Sequence, residues 1–125
     1  MDGYSVLLVD DEEEFVSALS ERLMLRGIEV EIALDGEEAL ARMKEKPPDV
    51  VILDVMMPGL SGLEVLKRIR GSHPQTQVIL LTGQGSTKEG IEGMRLGAFD
   101  YLIKPVDIEE MLERMKEAVK AIGNG

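Results

Sequence analysis

The chain has 125 residues, of which 44% are hydrophobic and only 3% aromatic, and its formal net charge is −10 at pH 7. This length suits one domain with an aliphatic core, and the absence of cysteine excludes disulfides and thiolate metal sites. The acidic balance argues against direct binding to a nucleic-acid backbone and favours cations and basic partners.

Neither targeting nor membrane signals are found in the sequence. Residues 1–4 lack the basic and apolar regions of a signal peptide, and no apolar stretch approaches the roughly 18 residues of a membrane span. With the lack of cysteine, this predicts a soluble cytoplasmic protein that does not bind membranes. Met1 stands close to the first predicted strand, as expected of a natural N-terminus. Residues 123–125 suit either a stand-alone domain or the start of a linker.

Apolar runs and helical patterns alternate along the chain, which predicts βα units around a parallel sheet. Continuous apolar runs at residues 6–9, 50–53 and 78–81 predict central strands that are covered on both faces. Residues 28–32 alternate between polar and apolar side chains, so this strand is expected at an edge. The short run at residues 101–103 is expected at the other edge. The pattern therefore predicts an α/β domain with five strands and five helices.

The five helices are expected to begin at capping boxes, in which an N-cap residue is followed three positions later by Glu. The pairs are Asp11 and Glu14, Asp35 and Glu38, Ser61 and Glu64, Ser86 and Glu89, and Asp107 and Glu110. The apolar faces are predicted at Phe15, Leu19, Leu23 and Met24 in the first helix and at Met111, Leu112, Met115, Val119 and Ile122 in the fifth. Left-handed backbone is expected where three helices end, at Gly27, Gly71 and Gly97.

Polar side chains follow four of the predicted strands. Asp10 and Asp11 follow the first strand, Asp54 the third, Thr82 the fourth and Lys104 the fifth. If these strands are parallel neighbours, their carboxyl ends converge on one crevice, which is where open α/β sheets bind ligands. Three carboxylates, a hydroxyl and an ammonium would then share that crevice.

Three carboxylates this close need a proton or a cation among them. A like-charged pair about 4 Å apart repels by roughly 4 kcal/mol at an effective dielectric constant of 20. Oxygen ligands without His or Cys favour Mg²⁺ or Mn²⁺. Lys104 adds a positive charge, Thr82 a hydroxyl and Gly83 an open backbone N–H. The set therefore suits uptake of a phosphoryl group as an aspartyl phosphate.

Two of the acidic residues and the single histidine have other interpretations. Asp11 could cap the first helix or bind the metal, and the sequence does not decide between the two. Asp54 precedes a loop rather than a helix, so a capping role fits it poorly. His73 lies in a predicted turn and is expected to be exposed without function.

Four segments, taken together and in order, resemble the receiver domain of two-component response regulators. They are Leu8-Val9-Asp10-Asp11, Leu53-Asp54-Val55-Met56-Met57-Pro58-Gly59, Leu81-Thr82-Gly83 and Gly97-Ala98-Phe99-Asp100-Tyr101-Leu102-Ile103-Lys104-Pro105. The resemblance extends from Val6 to about Ile122. It implies one receiver domain over residues 1–125, with a core from about 5 to 122. It also implies a doubly wound, flavodoxin-like fold with strand order 2-1-3-4-5.

The resemblance implies roles for the acidic residues. Asp54 would be the phosphoacceptor. Mg²⁺, or Mn²⁺ in its place, would be held by Asp11, Asp54 and the backbone carbonyl of Met56. Asp10 would act mainly through bound water.

The resemblance also implies roles on the other side of the crevice. Lys104 would pair with the phosphoryl oxygens beside Thr82 and Gly83, and the peptide bond before Pro105 would be cis. Thr82 and Tyr101 match the switch pair of the family. In that scheme Thr82 moves to bond the phosphoryl group, and Tyr101 turns inward into the vacated space.

The implied function is a phosphorylation-controlled signalling switch rather than an enzyme with an external substrate. The chain would accept a phosphoryl group from a histidine kinase or phosphotransfer protein, catalysing only its own phosphorylation and slow dephosphorylation. It would then change its helix 4–strand 5–helix 5 face to control an effector or an attached output domain. A dimer through that face is a further expectation, whereas direct nucleic-acid binding by this domain is not expected.

Three other functions fit the residues less well. A phosphatase of the haloacid-dehalogenase type needs a second Asp two positions after the nucleophile, where this chain has Met56. A flavodoxin needs a phosphate loop after the first strand, where Asp10 and Asp11 would repel phosphate. An unphosphorylated interaction module on the receiver fold is the main alternative. This alternative would be favoured if the chain lacked Asp54, Lys104 or an Asp of the acidic pair Asp10–Asp11. All of these residues are present.

Overall fold

The computed structural model describes residues 3–83, 85 and 87–124, which form a parallel β-sheet with helices on both faces. The elements are β1 (Ser5–Val9), α1 (Glu13–Met24), β2 (Glu29–Ala33), α2 (Gly36–Glu45), β3 (Val50–Asp54), α3 (Gly62–Ser72), β4 (Gln77–Thr82), α4 (Thr87–Arg95), β5 (Asp100–Ile103) and α5 (Ile108–Asn124). The strand order is β2-β1-β3-β4-β5, so the predicted order and both predicted edge strands are confirmed. Within the described ranges, every helix is too short or too polar to span a membrane.

The core consists of two aliphatic layers, one on each face of the sheet. Helices α1 and α5 cover one face, chiefly through Val16, Leu19, Leu23, Met111, Met115 and Ala118. Helices α2 and α3 cover the other face through Ala39, Met43, Val65, Leu66 and Ile69, and α4 packs beside them against β4 and β5. Strands β1, β3 and β4 are buried along nearly their whole length, as their continuous apolar runs predict.

Two of the predicted helix caps form their N-cap hydrogen bond, although Glu38 accepts the N–H of Leu34 rather than that of the N-cap Asp35. Asp35 accepts the N–H of Glu38, and Ser61 accepts the N–H of Glu64. Asp107 caps the start of α5 in a tighter form, because its carboxylate accepts the N–H two residues on rather than three. The cap predicted at Ser86 lies outside the described residues.

The cap predicted at Asp11 is wrong. The N-cap residue of α1 is Glu12, whose own side chain makes no capping bond. Instead, Asp10 Oδ1 accepts the N–H of Glu12 at 3.0 Å, which closes a turn at the start of the helix. The carboxylate of Asp11 is exposed, and one of its oxygens lies within 4.8 Å of oxygens of Asp10 and Asp54.

Three smaller predictions also differ from the structure. Met24 is 51% exposed, because the buried face of α1 consists of Val16, Leu19, Ser20 and Leu23, and Met24 lies at the margin of this face in the last position of the helix. Gly27 and Gly97 have left-handed backbone as predicted, with φ of +80° and +106°. Gly71 does not, because α3 continues through it to Ser72. His73 follows α3 directly and is half-buried rather than exposed.

The close approach of α4 to the sheet depends on Gly93. A Cβ at this position would lie 2.0 Å from Leu80 Cδ1, which is fully buried on β4. Gly93→Ala is therefore expected to destabilise the fold by about 1–3 kcal/mol, because overpacking outweighs the gain in helix propensity. Gly71→Ala is the matched control, since a Cβ there meets nothing within 4 Å and should stabilise α3 by about 0.5–1 kcal/mol. Urea unfolding measures both, and equal stability of the two variants would contradict the prediction.

Candidate functional site

The carboxyl ends of four strands bring the predicted site residues into one crevice. Asp10 follows β1, Asp54 is the last residue of β3, Thr82 is the last residue of β4 and Lys104 follows β5. The backbone N–H of Lys104 donates to the carbonyl of Thr82 at 2.7 Å, which extends the β4–β5 pairing to the edge of the site. The crevice therefore lies where open α/β sheets place their ligands.

Three carboxylates form the acidic side of the crevice. Asp10, Asp11 and Asp54 each offer one oxygen, and these oxygens all lie within 4.8 Å of one another. Asp10 and Asp54 are 1% and 5% exposed, whereas Asp11 is exposed at the mouth. Such a set of hard oxygen donors, with one ligand open to solvent, fits Mg²⁺.

The carboxyl group of Asp54 is destabilised in its charged form. Burial, followed by the charge of Asp10, raises the pKa of Asp54 to about 6. Lys104 and the backbone N–H of Met56 oppose that shift without cancelling it. A cation at the acidic side would favour the charged form that a nucleophilic carboxylate needs.

Lys104 lies among three carboxylates. Its ammonium is 2.8 Å from Asp10 Oδ2, 3.7 Å from Asp54 Oδ2 and 2.7 Å from Glu12 Oε1, and it sits 4.8 Å from the centre of the Phe15 ring. Burial disfavours the charge, but the contacts with Asp10 and Glu12 outweigh it and hold the pKa of Lys104 above its ordinary value. Sequence reasoning missed Glu12. Its place directly after the Asp10–Asp11 pair was the available signal.

The remaining predicted residues lie around this centre. The backbone N–H of Met56 donates to Asp54 Oδ1 at 3.1 Å, so the loop after β3 folds back over the carboxylate. Gly83 follows Thr82, and a Cβ there would meet nothing within 4 Å. The Lys104–Pro105 peptide bond is cis, as the resemblance implies.

Thr82 and Tyr101 lie on neighbouring strands but face different groups. The buried Thr82 hydroxyl donates to the carbonyl of Leu102 at 3.4 Å, a long bond directed toward β5. The half-buried ring of Tyr101 packs against Gly90 of α4, where a Cβ would come within 2.8 Å of the ring. The structure therefore holds Tyr101 between β5 and α4, and the coupling of the two side chains stays a prediction.

Comparison with known proteins identifies the family. Residues 6–116 match the family model described as the response regulator receiver domain, and the chain belongs to this family. It is 41% identical over 115 residues to the response regulator MprA of Mycobacterium tuberculosis, covering 92% of this chain and 50% of that protein. It is 44% identical over 115 residues to the transcriptional regulatory protein CpxR of Klebsiella pneumoniae, covering 92% and 49%.

A solved structure supports the same assignment. The receiver domain of the Francisella response regulator 1452 is 36% identical, with a TM-score of 0.86 over 94% of this chain and 98% of that one. The match confirms the receiver-domain prediction and the fold, and receiver domains are signalling proteins rather than classical enzymes. The chain spans about half the length of the curated relatives it matches. The predicted domain bounds of 1–125 stay a prediction.

Proposed function

We propose that this chain is a phosphorylation-controlled switch whose Asp54 accepts a phosphoryl group from a histidine kinase or phosphotransfer protein. The observation that carries the proposal is the placement of Asp54. It is buried at the end of β3, beside the acidic pair Asp10–Asp11 and 3.7 Å from the Lys104 ammonium. A carboxylate in this setting is a nucleophile with a positive charge ready for the incoming phosphoryl oxygens.

Each residue of the crevice has a distinct task in this reaction. An oxygen of Asp54 forms a bond to phosphorus as the bond between phosphorus and the atom of the phosphodonor breaks. The leaving atom of the donor then takes up a proton from another group of the donor molecule or from solvent. Met56 orients the Asp54 carboxylate through its backbone N–H. The ammonium of Lys104 moves toward the negatively charged phosphoryl group once that group is on Asp54. Mg²⁺, bound by Asp10, Asp11, Asp54 and the carbonyl of Met56, would supply charge neutralisation at the phosphoryl oxygens. Gly83 would offer its N–H and Thr82 its hydroxyl.

The consequence of phosphorylation is a change at the face formed by α4, β5 and α5. Tyr101 belongs to this face, because it lies on β5 and its ring packs on Gly90 of α4. Since several relatives of about twice this length are named transcriptional regulatory proteins, the partner controlled by this face is an effector or a covalent output domain. A dimer through the same face is part of the proposal. The protein acts in the cytoplasm, and its net charge of −10 leaves nucleic-acid binding to the output domain.

The test is covalent labelling of Asp54. Wild type incubated with acetyl phosphate and Mg²⁺ should gain one phosphoryl group by intact mass, and beryllofluoride should bind in its place. Asp54→Asn should show neither, because the amide is not a nucleophile at this position. Equal labelling of wild type and Asp54→Asn would reject Asp54 as the phosphoacceptor.

The switch is expected to shift only in part in the isolated chain. Moving a two-state equilibrium from 1:99 to 99:1 takes about 5.5 kcal/mol, whereas one hydrogen bond from Thr82 to a charged oxygen contributes about 1.5–3 kcal/mol. Thr82→Ala should still accept phosphate but show a much weaker change around Tyr101. NMR with and without beryllofluoride measures this change. Identical perturbations at Tyr101 in both proteins would show that Thr82 does not couple the site to the face.

A further inference from the structure

The first turn of α1 holds the ammonium of Lys104 from outside the acidic pocket. Glu12 is the N-cap residue of this helix, yet its side chain makes no capping bond and reaches Lys104 instead, 92 residues away in sequence. Phe15, on the same turn, lies under the ammonium at 4.8 Å. The contact with Lys104 lowers the pKa of Glu12, so the carboxylate stays charged.

The proposed reaction needs Lys104 to move toward Asp54. The ammonium is 3.7 Å from Asp54 Oδ2, which is longer than its contacts of 2.7 Å with Glu12 and 2.8 Å with Asp10. Of these two nearer partners, Asp10 is buried and cannot return to water, whereas the Glu12 side chain is 64% exposed. Glu12 is therefore the partner that can release Lys104, because its carboxylate can return to solvent.

We infer that Glu12 is a positioning residue, which holds Lys104 in a resting place and must release it before Lys104 can pair with a phosphoryl group on Asp54. This inference rests on the proposed function of Asp54. It makes Glu12 a restraint on phosphorylation, exerted through Lys104 rather than through contact with the phosphodonor.

The first experiment measures the rate of labelling by acetyl phosphate at saturating Mg²⁺ as the donor concentration is raised. Glu12→Gln should raise the maximal rate constant about two- to fivefold, the range that an exposed ion pair can contribute. A general effect of charge at the mouth would instead lower the half-saturating donor concentration. The control is Glu13→Gln, which removes the same charge from an exposed neighbour that forms no ion pair among the described residues, and it should leave both constants unchanged.

A second variant separates contact from charge. Glu12→Asp keeps the negative charge, but its side chain is one methylene shorter and favours capping its own helix. The Glu12→Asp variant should therefore no longer form the ion pair with Lys104, and it should be phosphorylated as fast as Glu12→Gln. If Glu12→Asp labels like wild type while Glu12→Gln is faster, the effect is the field of the carboxylate and the inference is wrong. Unchanged maximal rates in both variants would overturn it as well.

A third measurement needs neither metal nor phosphodonor. Urea unfolding of wild type, Glu12→Gln, Lys104→Met and the double variant forms a double-mutant cycle in metal-free buffer. The unfolding equilibrium constants should show a coupling of about two- to fivefold between Glu12 and Lys104, and none between Glu13 and Lys104. Absence of coupling overturns the resting contact itself. If the coupling is present but wild type takes no label, the proposed function has failed and the restraint on it falls with it.

Discussion

Asp54→Asn is expected to be more stable than wild type by about 1–3 kcal/mol when both are unfolded without metal at pH 8. The charged Asp54 carboxylate is buried beside Asp10, and its pKa is raised from 3.8 to about 6. A difference of about two pKa units corresponds to roughly 3 kcal/mol against the charged form, which is the upper bound of the effect. Asn removes the charge and keeps an oxygen for the N–H of Met56.

The stability difference should depend on pH with a definite sign. Above pH about 6, wild-type Asp54 is charged in the folded state and the full difference is present. As pH falls from about 6 to 3.8, the folded carboxyl takes up its proton before the unfolded one does, so wild type gains stability and the difference shrinks. Mg²⁺ should stabilise wild type but not Asp54→Asn.

The matched control for this prediction is Glu37→Gln, which removes the same charge from an exposed position in the first turn of α2. It should change the unfolding free energy by less than about 0.5 kcal/mol. Urea unfolding at pH 8, 6 and 4 provides the measurement. A less stable Asp54→Asn at pH 8 would mean that Lys104 stabilises the carboxylate more than burial and Asp10 oppose it.

Asp11→Ala is expected to abolish Mg²⁺-dependent phosphorylation while leaving the metal-free fold at least as stable as wild type. The structure excludes helix capping as a competing role for Asp11, because the carboxylate that accepts the Glu12 N–H at the start of α1 belongs to Asp10. The exposed Asp11 carboxylate then contributes only charge and a ligand atom to the acidic pocket. Deleting it relieves like-charge repulsion and removes one of the three oxygen donors.

Labelling by acetyl phosphate across a Mg²⁺ titration tests the Asp11 prediction, with urea unfolding as the check on folding. Glu14→Ala is the control, since it removes an acidic side chain from the same exposed turn without touching the pocket. It should label like wild type. Undiminished labelling of Asp11→Ala at every Mg²⁺ concentration would exclude Asp11 as a metal ligand.

The strands and the main site residues could be predicted because their signals are local. Continuous apolar runs identify β1, β3 and β4 as central, and the alternation around Val30 identifies β2 as an edge. Asp54 and Thr82 are the last residues of β3 and β4, and Asp10 and Lys104 directly follow β1 and β5. Parallel pairing alone therefore brings all four to one edge of the sheet. The strand order itself came from the family resemblance, because periodicity reports which faces are buried and not which strands are neighbours.

Tertiary packing decided what local patterns left open. Asp11 and Asp10 are both acceptable caps by residue type, and only the backbone path after β1 assigns the turn to Asp10. The contact between Glu12 and Lys104 joins residues 92 positions apart, so it depends on how the segment after β5 meets the start of α1 at the carboxyl edge of the sheet.

The packing of Tyr101 against Gly90 and the raised pKa of Asp54 also arise from contacts between segments that are distant in sequence. Sequence determined which chemical groups reach the crevice, because that depends on strand ends. Distance, burial and charge within the crevice arise from contacts between distant segments, and these exist only once the two layers of helices have packed on the sheet.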